Sequence, residues 1–183
     1  VVARSSASLA AAALGSLTEA RAQSTAALDL AERLGRPADR AFAGTFASAF
    51  HLLLGEPEPA VRLATQAIAL AGDAKLEVLH AVATICRAGA YAGRRPANAA
   101  VDEIRASLHA LTALRFRNGA TQYFAWLAAA LRSEGRLDEA LAAVEDGLTA
   151  APEEGFYRPE LLRLRAGLLA DTAADLSTVD AAY

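Results

Sequence analysis

Residues 122–148 read QYFAWLAAALRSEGRLDEALAAVEDGL. From Gln122 to Leu131 the segment is apolar on a broad face, and it stops at Ser133-Glu134-Gly135. A glycine just past a helix supplies the left-handed C-terminal cap at little steric cost. Asp138 and Glu139 then open a second helix, where acidic side chains suit the positive end of the helix dipole. Leu141, Val144 and Leu148 recur at helical spacing, and Pro152 closes the segment. The unit is helix, tight turn, helix, loop.

The same unit repeats every 40 residues along the chain. Alanine stands at Ala20, Ala60, Ala100 and Ala140. Seven residues later the side chain is small each time (Ala27, Ala67, Ser107, Gly147), and an aliphatic residue follows (Leu28, Ile68, Leu108, Leu148). Gly15, Gly55 and Gly135 precede three of the alanines by five residues; the remaining unit has Arg95 there and its glycine at Gly93. A fixed period of this length marks a repeat protein. The beat predicts units at about 1–40, 41–80, 81–120 and 121–160, with a partial unit over 161–183. Helices are expected near 2–14, 17–34, 38–54, 57–71, 75–92, 96–113, 118–134, 137–150 and 156–170. Pro57, Pro59 and Pro96 fall in first turns, where a missing N–H costs little.

Small residues also recur in the first helix of each unit, at Ser8, Ser48, Ala88 and Ala128. Two helices approach closely only where one contributes Ala, Ser or Gly. These positions and the alanine set are therefore the expected helix contacts, and a bulky side chain at Ala60 or Ala140 should cost about 1–3 kcal/mol through overpacking.

Composition agrees. The chain is 183 residues long and 54% hydrophobic, dominated by alanine and leucine, the residues that lose least on entering a helix. The formal charge of -3 provides no basic field for nucleic acid. No apolar run is long enough to span a bilayer. The single cysteine, Cys86, excludes an intrachain disulfide and fits a reducing compartment, so a cytoplasmic setting is expected. The chain begins at Val1, contains no Met, and reaches Asp180–Tyr183 where a fifth copy of the alanine pattern would start. It reads as a piece of a larger protein.

Small at 128, glycine at 135, alanine at 140, small at 147 and proline at 152 resembles the tetratricopeptide repeat, although its usual period is nearer 34 residues. The resemblance implies an all-α, right-handed superhelix of antiparallel helix pairs. More narrowly, Tyr123 to Ala128, Gly135 to Leu141, Gly155 to Arg165 and the Gly55-Glu56-Pro57-Glu58 turn are similar to the C-terminal repeat region of large bacterial signalling proteins. Those proteins join a class III nucleotide cyclase or a DNA-binding regulator domain to an ATPase module and then to such repeats. Their catalytic domains lie upstream, so the resemblance transfers no catalytic residue.

Catalytic chemistry is not expected within the chain. It contains no phosphate loop, and Lys75 is its only lysine. His51, His80 and His109 have no cysteine or carboxylate at ligand spacing, so no metal site is expected, and no cofactor. Cys86 reads as a small apolar helix residue, and the carboxylate pairs Asp138-Glu139 and Glu153-Glu154 as helix-start residues.

Two surfaces stand out. Arg94, Arg95, Arg115 and Arg117 form the local basic cluster, a candidate contact for a phosphate or an acidic peptide, with solvated loop charge as the alternative. In tetratricopeptide arrays the first helix of each pair lines the concave side, which would collect Phe42, Phe46, Ile85, Tyr123 and Trp126 into a groove. Aromatics in a groove often anchor a partner. The longer repeat equally allows a register that turns them into the core. The expected function is a non-catalytic interaction and regulatory module that binds a protein partner, a neighbouring domain of its own polypeptide, or a second copy of itself. The alternative is a sensor closing over a small molecule or peptide, with Thr45, His51, Gln122 and Arg132 as polar contacts.

Overall fold

The computed structural model describes residues 1–92, 98–153 and 155–180, with side chains as far as 173. Nine helices fill it: α1 (Val2–Ala13), α2 (Leu17–Leu34), α3 (Pro37–Leu53), α4 (Pro57–Asp73), α5 (Glu77–Gly89), α6 (Asn98–Ala113), α7 (Ala120–Ser133), α8 (Leu137–Ala150) and α9 (Arg158–Asp180). No strand occurs among the described residues. Each helix packs on the next, and each odd-numbered helix also packs on the next odd-numbered one. Even-numbered helices do not pack closely on one another among the described residues; α6 and α8 meet only through long side chains, as where Arg105 reaches Glu139. The result is a helical-repeat array with an inner odd layer and an outer even layer splayed into furrows.

The 40-residue beat is the packing code of this array. Ala20, Ala60 and Ala140 are completely buried and Ala100 nearly so, and the small residues Ser8, Ser48, Ala88 and Ala128 of the preceding helices are buried as well. Ser48 Oγ donates to the carbonyl of Ala60 at 2.8 Å, tying the two small-residue sets directly together. A larger side chain at either place would separate the axes.

Size is also traded across the pair. Gly44, Thr84 and Phe124 occupy one place in α3, α5 and α7, and Ala67, Ser107 and Gly147 occupy one place in the following helices. A Cβ on Gly44 would sit 3.4 Å from Ala67 Cβ, an ordinary contact, whereas a Cβ on Gly147 would sit 2.7 Å from Phe124 Cβ. The phenylalanine therefore requires the glycine.

Helix ends repeat as well. Gly15, Gly55 and Gly135 have φ of +78°, +69° and +75° and close the odd helices with left-handed caps, as their spacing predicted. The even helices use the same device one half-unit later, at Gly35, Lys75 and Arg115. At Lys75, the amide donates to Gly72 O and the next amide to Ala71 O, the paired bonds of a left-handed cap. Only glycine occupies this region without a Cβ penalty, which for other residues is about 1–2 kcal/mol. Lys75→Gly is therefore expected to raise stability by about 0.5–1 kcal/mol, once glycine's greater unfolded-state entropy is subtracted. Paired urea melts of Lys75→Gly and Lys75→Ala check it; an equal gain for alanine would remove the backbone explanation.

Ion pairs stitch neighbouring helices on the surface. Arg21 of α2 reaches Glu56 at the start of α4, and His51 of α3 contacts the same carboxylate at 2.6 Å. The hydrogen bond from Arg21, then that from His51, holds the Glu56 carboxyl down at about 2 instead of 4.5. Glu139 is held at about 2 in the same way by Arg136 and then Arg105. A depressed carboxylate contributes stability above its unfolded value and loses it as the folded group protonates. Stability should thus be level above pH 4.5 and fall from there toward pH 2. Glu56→Gln should flatten that acid limb in thermal melts across this range while leaving the neutral-pH slope unchanged; an unaltered limb would place the acid sensitivity elsewhere.

Candidate functional site

The five groove candidates separate in the fold. Phe42 and Phe46, one turn apart on α3, remain half-buried and stack with ring centroids 4.4 Å apart. Ile85, Tyr123 and Trp126 lie in the core, at 0%, 7% and 8% exposure. For these three the register turns inward, so no continuous aromatic groove forms. The reason is the composition of α5 and α7. Between Ala81 and Ala90 only Thr84 and Arg87 escape full burial, and from Ala120 to Ala128 only Phe124 does. A helix that is apolar on every side is enclosed on every side.

Trp126 shows how tight that enclosure is. Its ring lies against Gly89 of α5, where a Cβ would meet ring carbons at 3.1–3.3 Å. Tyr157, just before α9, meets it edge-on at 6.5 Å between centroids, and Tyr123 tilts against it at 6.2 Å. Burial pushes the Tyr157 phenol up, and the charge of Glu160 adds to the rise. Gln122 is itself buried.

Of the polar groups expected to line the inner groove, Thr45, His51 and Arg132 are already engaged, whereas Gln122 Nε2 is buried without a hydrogen-bond partner among the described residues. Thr45 Oγ1 donates to Ala41 O within its own helix. His51 pairs with Glu56, and Arg132 Nε donates to Asp171 of α9 at 2.7 Å. Cys86 is fully buried, and burial pushes its thiol up to about 12, out of the nucleophilic range. Among the described residues no three His, Cys, Asp or Glu side chains gather as a metal site, and no helix is long and apolar enough to cross a membrane.

Of the basic cluster, Arg94 and Arg95 lie outside the described residues. Arg115 and Arg117 are exposed on the connection between α6 and α7, and neither forms an ion pair with a described residue.

A site the sequence did not indicate joins the two ends of the array. Ala12, Ala13 and Leu17 from the α1–α2 turn, and Leu53 and Leu54 from the end of α3, face Phe156, Tyr157 and Arg163 at the start of α9. The cleft between them measures about 450 Å³. Leu14, next to it in the chain, is 86% exposed, Leu17 48% and Phe156 43%. More than a hundred residues separate its walls, so no local pattern announces it. Comparison with protein-family models, with curated proteins and with solved structures finds no match in any of the three.

Proposed function

We propose that this chain is a non-catalytic interaction and regulatory module within a bacterial multidomain signalling protein, coiled as a right-handed superhelix and acting in the cytoplasm. Cyclase, ATPase or DNA-binding activity then belongs to other parts of the polypeptide. The repeat resemblance of Tyr123–Ala128 and Gly135–Leu141 supports the family reading. The observation that carries the interaction reading is the apolar patch of Leu14, Leu17 and Phe156 beside the cleft. Large apolar side chains clustered at a surface, rimmed here by Glu160 and Arg163, mark contact sites for protein partners. The partner is a neighbouring domain of the same polypeptide or a second copy of the chain.

Leu17→Ser combined with Phe156→Ser tests the patch. Sedimentation of the chain, alone and with the remainder of its polypeptide, should show association that the double substitution weakens by at least about tenfold, or 1.4 kcal/mol. Circular dichroism should show an unchanged helical fold, because both side chains are half exposed. Association that survives the double substitution unchanged would remove the patch as the interface.

A further inference from the structure

α7 starts three residues late. α3 begins at Pro37 and α5 at Glu77, but the corresponding residue of the next unit, Arg117, lies outside the helix, and α7 begins at Ala120. The connection turns through left-handed backbone at both ends, with φ +55° at Arg115 and +82° at Gly119. The turn of helix missing from α7 leaves a cavity of about 560 Å³ between α6, α7 and the end of α8. Leu108, Leu111, Phe116, Tyr123 and Phe124 give it apolar and aromatic walls. Its charged lining is Arg115 and Arg117, with no carboxylate. The sign of the charge has changed along with the backbone: α3 and α5 carry Asp39 and Glu77 in their first turns, and α7 carries no acid there. Beyond Phe124 the adjoining furrow is lined by Arg105, Glu139 and Asp146, and there Arg105 is already paired to Glu139.

We propose that this cavity binds a small amphipathic organic anion, a carboxylate on a hydrocarbon or aryl body. Arg115 and Arg117 hold the anionic head and the Leu108–Phe124 walls take the apolar tail. The volume lies in the range of small-molecule sites, which combine apolar walls with a few placed polar groups. An arginine without an internal partner keeps its full charge-assisted hydrogen-bonding capacity for a carboxylate. This site lies on the outer side of the array, apart from the Leu14–Phe156 patch, and stands or falls independently of it.

Decanoate is the probe, with decanol as its uncharged counterpart, titrated calorimetrically into the full chain. Decanoate should bind one site with a Kd on the order of 10–100 μM, and decanol at least about tenfold more weakly. Arg115→Gly removes the charge while keeping the left-handed cap, so its fold is secure; it should weaken decanoate at least about tenfold, as should Arg117→Gln. Lys75→Gly, the same exchange at the preceding cap, should leave decanoate binding unchanged. Equal affinities for decanoate and decanol, wild-type binding by both arginine variants, or no saturable binding up to about 1 mM would each overturn the proposal.

Discussion

Trp126→Ala is expected to remove about 3–5 kcal/mol of folding stability, the range for truncating a large buried aromatic. That is a large fraction of the roughly 5–15 kcal/mol that a domain commonly has. The indole is the place where three helices of the inner layer meet: it belongs to α7, lies flat on Gly89 of α5, and receives the edge of Tyr157 at the start of α9. Alanine would leave a cavity that the backbone of α5 cannot fill, because Gly89 has no side chain to move. Trp126→Phe, which keeps a ring against Gly89, should recover much of the loss. Urea melts measure both. As the chain's only tryptophan, Trp126 also reports its own burial. Native emission should be blue-shifted and resist acrylamide, and both properties should vanish on unfolding. Strong native quenching together with a loss below about 1 kcal/mol for alanine would return Trp126 to an exposed groove.

Gly147→Ala should destabilise by about 1–3 kcal/mol, opposite in sign to the usual effect of replacing a helical glycine. Alanine gains roughly 1 kcal/mol of helix propensity in an open helix interior. Here its Cβ would lie 2.7 Å from Phe124 Cβ and 3.0 Å from Leu161 Cδ1. The first neighbour is a Cβ fixed to its backbone, so α7 and α8 must separate. The preceding unit shows the remedy, with Thr84 and Ser107 at the equivalent places. Phe124→Thr combined with Gly147→Ser should accordingly be less damaging than the two single losses added together. A double-mutant cycle by thermal or urea melts should give a coupling of about 1–3 kcal/mol. A coupling near zero would mean that Phe124 and Gly147 are not matched.

The helices were legible because their signals are local. Gly15, Gly55 and Gly135 stop odd helices where the beat placed them, and Pro37 and Pro57 open α3 and α4. The expected ninth helix falls short: α9 continues to Asp180, and no glycine lies between Gly167 and the end of the chain. The second set of caps was harder to see. Lys75 and Arg115 follow Gly35 at successive 40-residue steps and share its left-handed backbone. Reading the beat from Gly35 would have located those two caps, although residue type alone conceals them.

Which surfaces are free was not legible, and the inner aromatics show why. Helical periodicity identifies a face only when the opposite face is polar. Around Ile85 and Trp126 the neighbours are small or apolar on almost every side, interrupted only by Thr84 and Arg87 in one helix and Thr121 and Gln122 in the other. The pattern therefore says that these helices are buried without saying against what.

The sequence by itself determined the repeat, the helix pairs and the small contact residues, since each depends on neighbours within one 40-residue unit. Tertiary structure alone decided how the units coil. It buried Ile85, Tyr123 and Trp126, left Phe42 and Phe46 at the surface, brought Leu17 to Phe156, and opened the space beneath Arg115 and Arg117. The physical reason is accumulation. The tilt between successive units is set by contacts as small as one Cβ, such as that missing from Gly147. Four such steps determine whether the first and last units meet.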